Sequence, residues 1–204
     1  SSLVGYWVNE AWWEELQATK SPRKAFAKLD GIAGAIMLQD SARITANLAI
    51  NWHEGAQYAV REREGKQELY DPTNAAVQPM PLTFRSEGAI TLDKSNMVRL
   101  ATDLLGVKIV GHTIFGGQWD YKGKTVVFNP DGTVVNIDGF RFYEPQLDYV
   151  VDQTGADEFS LSADGGSPVF FAFKIEGNKL TISELVDEGG TSKVGKVKYE
   201  MTKK

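Results

Sequence analysis

Along most of the chain, apolar and polar residues alternate in short runs bounded by Gly, Asp and Asn. A period of two puts successive side chains on opposite faces, so the pattern predicts short, half-buried antiparallel strands. Ile44, Ala46, Leu48, Ile50 and Trp52 fall on one face, opposite Arg43, Thr45, Asn47, Asn51 and His53. Val169, Phe171, Phe173 and Ile175 repeat the pattern opposite Phe170, Ala172, Lys174 and Glu176. Asn129-Pro130-Asp131-Gly132 supplies turn chemistry for a hairpin between two such runs. The expected fold is mainly β.

Two stretches depart from this rhythm. Ser21-Pro22 reads as an N-cap with a first-turn proline, after which Ala25, Phe26 and Leu29 form a helical stripe that Gly31 can end. Before it, Trp12, Trp13 and Leu16 stand among Glu10, Glu14 and Glu15, so a helix-turn-helix is predicted over roughly 9–30. Adjacent residues lie about 100° apart on a helix, so Trp12 and Trp13 cannot share one narrow stripe: either one faces an opening or both straddle the seam where the helices cover the barrel. The second departure is central: Met97, Leu100, Ala101, Leu104 and Leu105 follow helical spacing after Asn96, with Gly106 placed as a C-terminal cap. A linker helix over 96–105 is predicted there.

Laid over each other, the two halves look like copies. Ile36-Met37-Leu38-Gln39 matches Val126-Val127-Phe128-Asn129 at an offset of 90 (126 − 36), and Ile50 to Glu54 falls on Phe140 to Glu144 at the same offset. Tyr58 and Val60 meet Tyr149 and Val151 at 91, Phe84 to Gly88 meets Phe173 to Gly177 at 89, and Ile90-Thr91-Leu92 meets Leu180-Thr181-Ile182 at 90. Ahead of both stands a Gly-x-Trp, Gly5-Tyr6-Trp7 and Gly117-Gln118-Trp119, whose larger offset of 112 (119 − 7) accommodates the helical insertion in the first copy. The expected organisation is a β-barrel unit over 1–94 with a helical insertion at about 9–30, a linker over 95–107, and a second β-barrel unit over 108–204.

A Gly-x-Trp on the first strand followed by an antiparallel meander resembles the calycins, the group of lipocalins and fatty-acid-binding proteins. The helix-turn-helix is similar to the lid of the fatty-acid-binding branch, and Phe128 to Thr133 and Gly177 to Ile182 look like small lipocalin-like domains of bacterial secreted lipoproteins. The resemblance implies two tandem lipocalin-like barrels, with Trp7 and Trp119 as structural plugs at one end of each. It also implies a secreted or periplasmic setting, with a lipid anchor on a residue beyond this chain as one form of it. Closing a meander on itself removes its edges and leaves room for side chains or one small ligand.

The 204 residues, 42% hydrophobic and 24% charged, suit a folded protein with a real core. A net charge of −5 gives no pull toward nucleic acid. No run of residues is long and apolar enough for a membrane span. With no Cys and only two His, disulfides and thiolate zinc sites are excluded and base chemistry has few carriers. Gly190 to Lys196 matches a phosphate-binding loop by letter, but Val197 stands in place of the Ser or Thr and no helix follows, so it reads as a hairpin. His53 and Glu54, as strand neighbours, point apart. Asn129 to Gly132 lacks the later ligands of a calcium loop. Asp103, Asp120, Asp138 and Asp148 sit among polar or turn residues and read as solvated carboxylates.

No catalytic set, metal site or cofactor is therefore assigned, and the chain is read as a non-enzyme. The expected function is binding of an apolar or amphipathic small molecule, in a barrel or in the cleft between two barrels, with Trp12, Trp13 and the first helices gating entry. The candidate contact residues are Trp12, Trp13, Trp52, Tyr58, Phe84, Phe142, Tyr149, Phe171 and Phe173. The alternatives are a non-catalytic module that meets a protein or glycan partner through its loops, and a hydrolase acting on carbohydrate or lipid.

Overall fold

The computed structural model describes residues 3–40, 44–101 and 106–204. The chain divides into two compact units, Ser1–Glu15 with Ala25–Gly106, and Leu16–Lys24 with Val107–Lys204. Both are antiparallel meanders of eight strands.

In the first unit, β1 (Gly5–Asn9) leads into α1 (Glu10–Thr19) and α2 (Pro22–Phe26). The meander then runs through β2 (Ala33–Asp40), β3 (Ile44–Ile50), β4 (Glu54–Arg63), β5 (Lys66–Tyr70), β6 (Met80–Ser86), β7 (Ala89–Leu92) and β8 (Ser95–Ala101). Pairing of β1 with β8 closes the barrel. The predicted helix-turn-helix is present. Asn9, buried, accepts from the Trp12 amide as the N-cap of α1 and donates to the Asp30 and Ala33 carbonyls, which ties the end of β1 to the start of β2. Ser21 caps α2 through the Lys24 amide, ahead of Pro22, as the sequence predicts. The helix ends at Phe26, and Gly31 instead supplies a left-handed turn against Ser95 on the way into β2. Trp7, Ile36, Leu38, Leu48, Leu69, Ile90, Leu92 and Met97 form the core.

A helix does follow the first meander, but not within the predicted bounds of 96–105. Residues 95–101 form β8, 102–105 lie outside the described residues, and the helix α3 (Gly106–Phe115) begins at the glycine expected to end one. Met97, Leu100 and Ala101 are compatible with either period over so short a run. The partner strand decides, because β1 would otherwise leave its backbone donors and acceptors unpaired. In α3 the buried residues Val110, Gly111, Ile114 and Phe115 recur at helical spacing, but β-branched residues and two glycines weaken the sequence signal.

The second unit contains β9 (Gly117–Tyr121), β10 (Lys124–Phe128), β11 (Val134–Val135), β12 (Phe142–Pro145), β13 (Asp157–Ser162), β14 (Val169–Glu176), β15 (Lys179–Asp187) and β16 (Ser192–Lys203). β16 pairs with β9, and a bridge from Thr133 to Phe142 spans the gap between β11 and β12, so the sheet is nearly closed in the same circular order as the first.

Strand register supports the internal repeat. Trp7 pairs with Ile36 and Gly5 with Leu38; Trp119 pairs with Val126 and Gly117 with Phe128. Each indole Nε1 donates to the carbonyl four residues earlier, Leu3 at 3.0 Å and Phe115 at 2.8 Å. Each ring also lies under a cation of the last strand of its own unit, Arg99 at 5.3 Å and Lys203 at 5.5 Å. The near-constant offset does not persist through the middle. Val60 pairs with Leu69 and Tyr143 with Leu161, so Tyr143, not Tyr149 or Val151, occupies the β4-like position. Leu82 opposite Leu92 corresponds to Phe173 opposite Ile182, which displaces Phe84 from the match with Phe173.

Candidate functional site

Whether either barrel can hold a ligand turns on what already occupies its interior. In the second unit, α3 inserts Phe115 among the inward side chains of the sheet, with ring centroids 4.7 Å from Phe173, 4.8 Å from Phe159, 5.3 Å from Phe128 and 5.8 Å from Tyr143. Phe171 and Tyr199 extend the cluster. At these separations aromatic rings are in contact, so the candidates Phe171 and Phe173 serve as packed core. In the first unit, the aliphatic core converges on Trp7, and Tyr58 packs half-buried against it.

The other candidates scatter. Trp52 does not continue the face of β3. It takes a left-handed backbone in the turn after the strand, rests against Gly34, and lies 4.8 Å from the buried Trp12, with Trp13 6.4 Å from Trp12. The three indoles thus form one group in the first unit: Trp12 is the sealed member, Trp13 and Trp52 are half-buried. Phe84 (36% exposed) and Phe142 (40% exposed) are open to solvent and do not join the buried candidates. Phe84 shares the face of Leu82 and of its partner Ile90 but stands beside the bulge near the end of its strand, whereas Phe142 is turned outward by alternation, because its neighbour Tyr143 is the inward residue opposite Leu161. Tyr149 is buried in the connection before β13, where its hydroxyl accepts from the Glu158 amide at 2.9 Å. Burial holds that phenol well above the usual tyrosine range.

Of the motifs weighed for chemistry, Gly189 and Gly190 form the turn between β15 and β16, and Asp131 closes its own turn by accepting from Thr133. Asp120 pairs with Lys204, Asp138 accepts from the Tyr199 hydroxyl, and Asp148 accepts from the Val150 amide. Asp103 lies outside the described residues.

A surface concavity lined by lysines, hydroxyls and carboxylates lies on the outer side of the second unit and has a volume of about 440 Å³. Its floor comes from β14, β15 and β16. Because Phe171 and Phe173 point inward, Ala172 and Lys174 point outward, together with their cross-strand partners Ser183 and Thr181. Val194 of β16 continues this floor. One wall is the helical segment from Thr19 to Lys24, and the other is Gly155 to Asp157.

Asp157 fastens the helical wall. Its Oδ1 accepts from the Ser21 hydroxyl and from the Arg23 amide, both at 2.9 Å, while the Arg23 guanidinium pairs with Asp152. Burial pushes the Asp157 carboxyl above its ordinary range, and the hydrogen bonds from Arg23 and Ser21 oppose that rise only in part. On the floor, Lys174 is paired with Glu176 at 2.7 Å. Lys20 and Lys24 have no ion-pair partner among the described residues. Burial, and then the nearby Lys203 ammonium, hold Lys20 below the ordinary lysine value.

Sequence reasoning missed this cleft because its residues are small or charged rather than aromatic. A signal was present in Ala172 and Ser183, small residues at outward positions of strands that otherwise carry Lys174, Glu176 and Glu184 on exposed positions. They are 3% and 8% exposed, as expected of a covered outer face.

The chain matches no family model, no curated protein and no solved structure. No helix is long and apolar enough to cross a membrane, and no group of three metal-ligating side chains occurs among the described residues.

Proposed function

We propose that the protein is a binding protein of calycin type whose small-molecule ligand occupies the outer cleft of the second unit rather than a barrel interior. The observation that carries this reading is the contrast between the packed ring cluster around Phe115 and an open concavity of about 440 Å³ on the other side of the same sheet. That volume is in the range of small-molecule sites, and the lining combines polar and charged groups with the apolar surface of Val194. A binding rather than catalytic role is supported by the cleft's carboxylates, both already engaged: Asp157 holds the helical wall and Glu176 is paired with Lys174. The calycin affinity is supported by the twofold recurrence of the Gly-x-Trp strand with its indole-to-carbonyl bond and overlying cation.

A panel of apolar and amphipathic molecules titrated against the wild type and Val194→Trp tests the reading. Val194 is 45% exposed, so an indole there fills the cleft without disturbing the core. Saturable binding that Val194→Trp abolishes supports the cleft; binding unchanged by it refutes the location.

A second reading has its own observation. Phe170, Val194 and Val197 are 50%, 45% and 52% exposed on the outward side of β14 and β16, an apolar area suited to a protein partner. A ligand-free protein that binds no member of the panel would favour it.

A further inference from the structure

We infer that the outer cleft of the second unit selects organic anions, taking the acidic head of a compact apolar molecule at Lys20 and Lys24 and its body over Ala172 and Val194. This deepens the cleft reading and rests on it.

Charge bookkeeping around the cleft points this way. The lining carries four cations, Lys20, Arg23, Lys24 and Lys174, against two carboxylates, Asp157 and Glu176. Arg23 is paired with Asp152 and Lys174 with Glu176, while Asp157, which accepts from the neutral Ser21 hydroxyl and Arg23 amide, keeps its charge within the field of Arg23 and Lys24. The charges left over are the ammonium groups of Lys20 and Lys24 against the single carboxylate of Asp157, a net positive charge. Lys20 is half-buried, and the charge acting on it is a second cation, Lys203, whose own contact is the Trp119 ring. A partly desolvated ammonium beside a like charge is destabilised until an anion arrives, so an acidic head relieves a cost the unliganded cleft bears. The hydroxyls of Thr181 and Ser183 offer neutral donors beside it.

The floor sets the rest of the molecule. Val194, 45% exposed, presents apolar surface beside the nearly covered Ala172, and a space of about 440 Å³ admits a ring system or short chain. The expected class is an aryl or short-chain carboxylate, sulfonate or phosphate monoester. A neutral molecule of the same shape would leave the cleft's net positive charge uncompensated, and a cation would add repulsion.

The test uses two fluorescent probes with the same body, 1-anilinonaphthalene-8-sulfonate and its neutral counterpart N-phenyl-1-naphthylamine, titrated into the full chain. The sulfonate is expected to bind at least tenfold more tightly than the neutral probe, a difference of ~1.4 kcal/mol. Lys20→Gln and Lys24→Gln are each expected to remove most of that preference while leaving affinity for the neutral probe within about twofold. Melting curves of both variants confirm folding, and Lys20→Arg, which keeps the charge, should retain most of the preference. Equal affinity for the two probes, with both lost in Val194→Trp, overturns the anion selectivity and leaves the cleft as a binding site. Affinity for either probe that survives Val194→Trp overturns the cleft reading and this inference with it.

Discussion

Truncating the paired indoles tests the internal repeat at the level of energy. Trp7 and Trp119 are 0% and 1% exposed, and each supplies the donor for a buried carbonyl, of Leu3 and Phe115 respectively. Replacing a buried Trp by Ala removes its contacts and leaves a cavity, at a typical cost of about 3–5 kcal/mol. Trp→Phe keeps most of the ring but strands the carbonyl, which costs about 1–3 kcal/mol. The overlying cation adds a smaller share, about 0.5–1 kcal/mol for a partly exposed pair. A unit of about one hundred residues loses roughly 4–8 °C of melting temperature per kcal/mol. Trp7→Ala and Trp119→Ala should therefore each lower the transition of the unit that carries them by about 12 °C or more in calorimetry, with the Phe variants between Ala and wild type. A double-mutant cycle should find similar coupling for Trp7 with Arg99 and for Trp119 with Lys203. If either Ala variant melts within about 2 °C of the wild type, the equivalence of the two indoles is refuted.

Further outcomes follow from single contacts. Phe115→Ala removes a ring packed on four others and should cost about 3–5 kcal/mol, while leaving an apolar cavity that benzene fills, seen as a benzene-dependent rise in melting temperature. Gly34→Ala places a methyl group 2.8 Å from the Trp52 indole and should destabilise by about 1–3 kcal/mol with a change in tryptophan emission; an unchanged spectrum would remove the close packing of Trp52 on Gly34. Because the folded-state pKa of Asp157 is raised by burial, the stability it contributes is present below the ordinary aspartate pKa of about 3.9 and is lost as pH rises through the raised value. Asp157→Asn, whose side-chain oxygen still accepts from Ser21 and Arg23, should be at least as stable as wild type near neutral pH and should lack that part of the pH dependence, measured by urea titration from pH 3 to 7.

What the sequence revealed follows the range of each signal. Ser21-Pro22 and the Gly-x-Trp pair are local chemistry, and they place α2 and the two first strands correctly. Ile36 and Val126 were matched by letter, and the register shows both opposite the plug Trp of their unit. Signals that depend on a distant partner were misread. Met97 looks helical until β1 is known to need β8, and Trp52 continues an apolar face by count although the strand ends at Ile50 and the chain turns. Tyr149 was aligned with Tyr58 because the long connection between β12 and β13 compensates numerically for the shortness of β11 and β12. The cleft was illegible for a related reason. Lys20, Lys24, Ala172 and Val194 come together only when the helical segment lies against the sheet, and no single stretch of the chain carries their pattern.

The central claim, a ligand on the outer face of the second sheet with the barrel interiors given over to core, is tested most directly by amide and methyl NMR during titration with 1-anilinonaphthalene-8-sulfonate. Saturable shifts are predicted at Lys20, Lys24, Ala172, Ser183 and Val194. Shifts concentrated instead at inward residues, Leu48, Leu69 and Ile90 of the first unit or Leu161 and Ile182 of the second, would place the ligand inside a barrel and contradict the account.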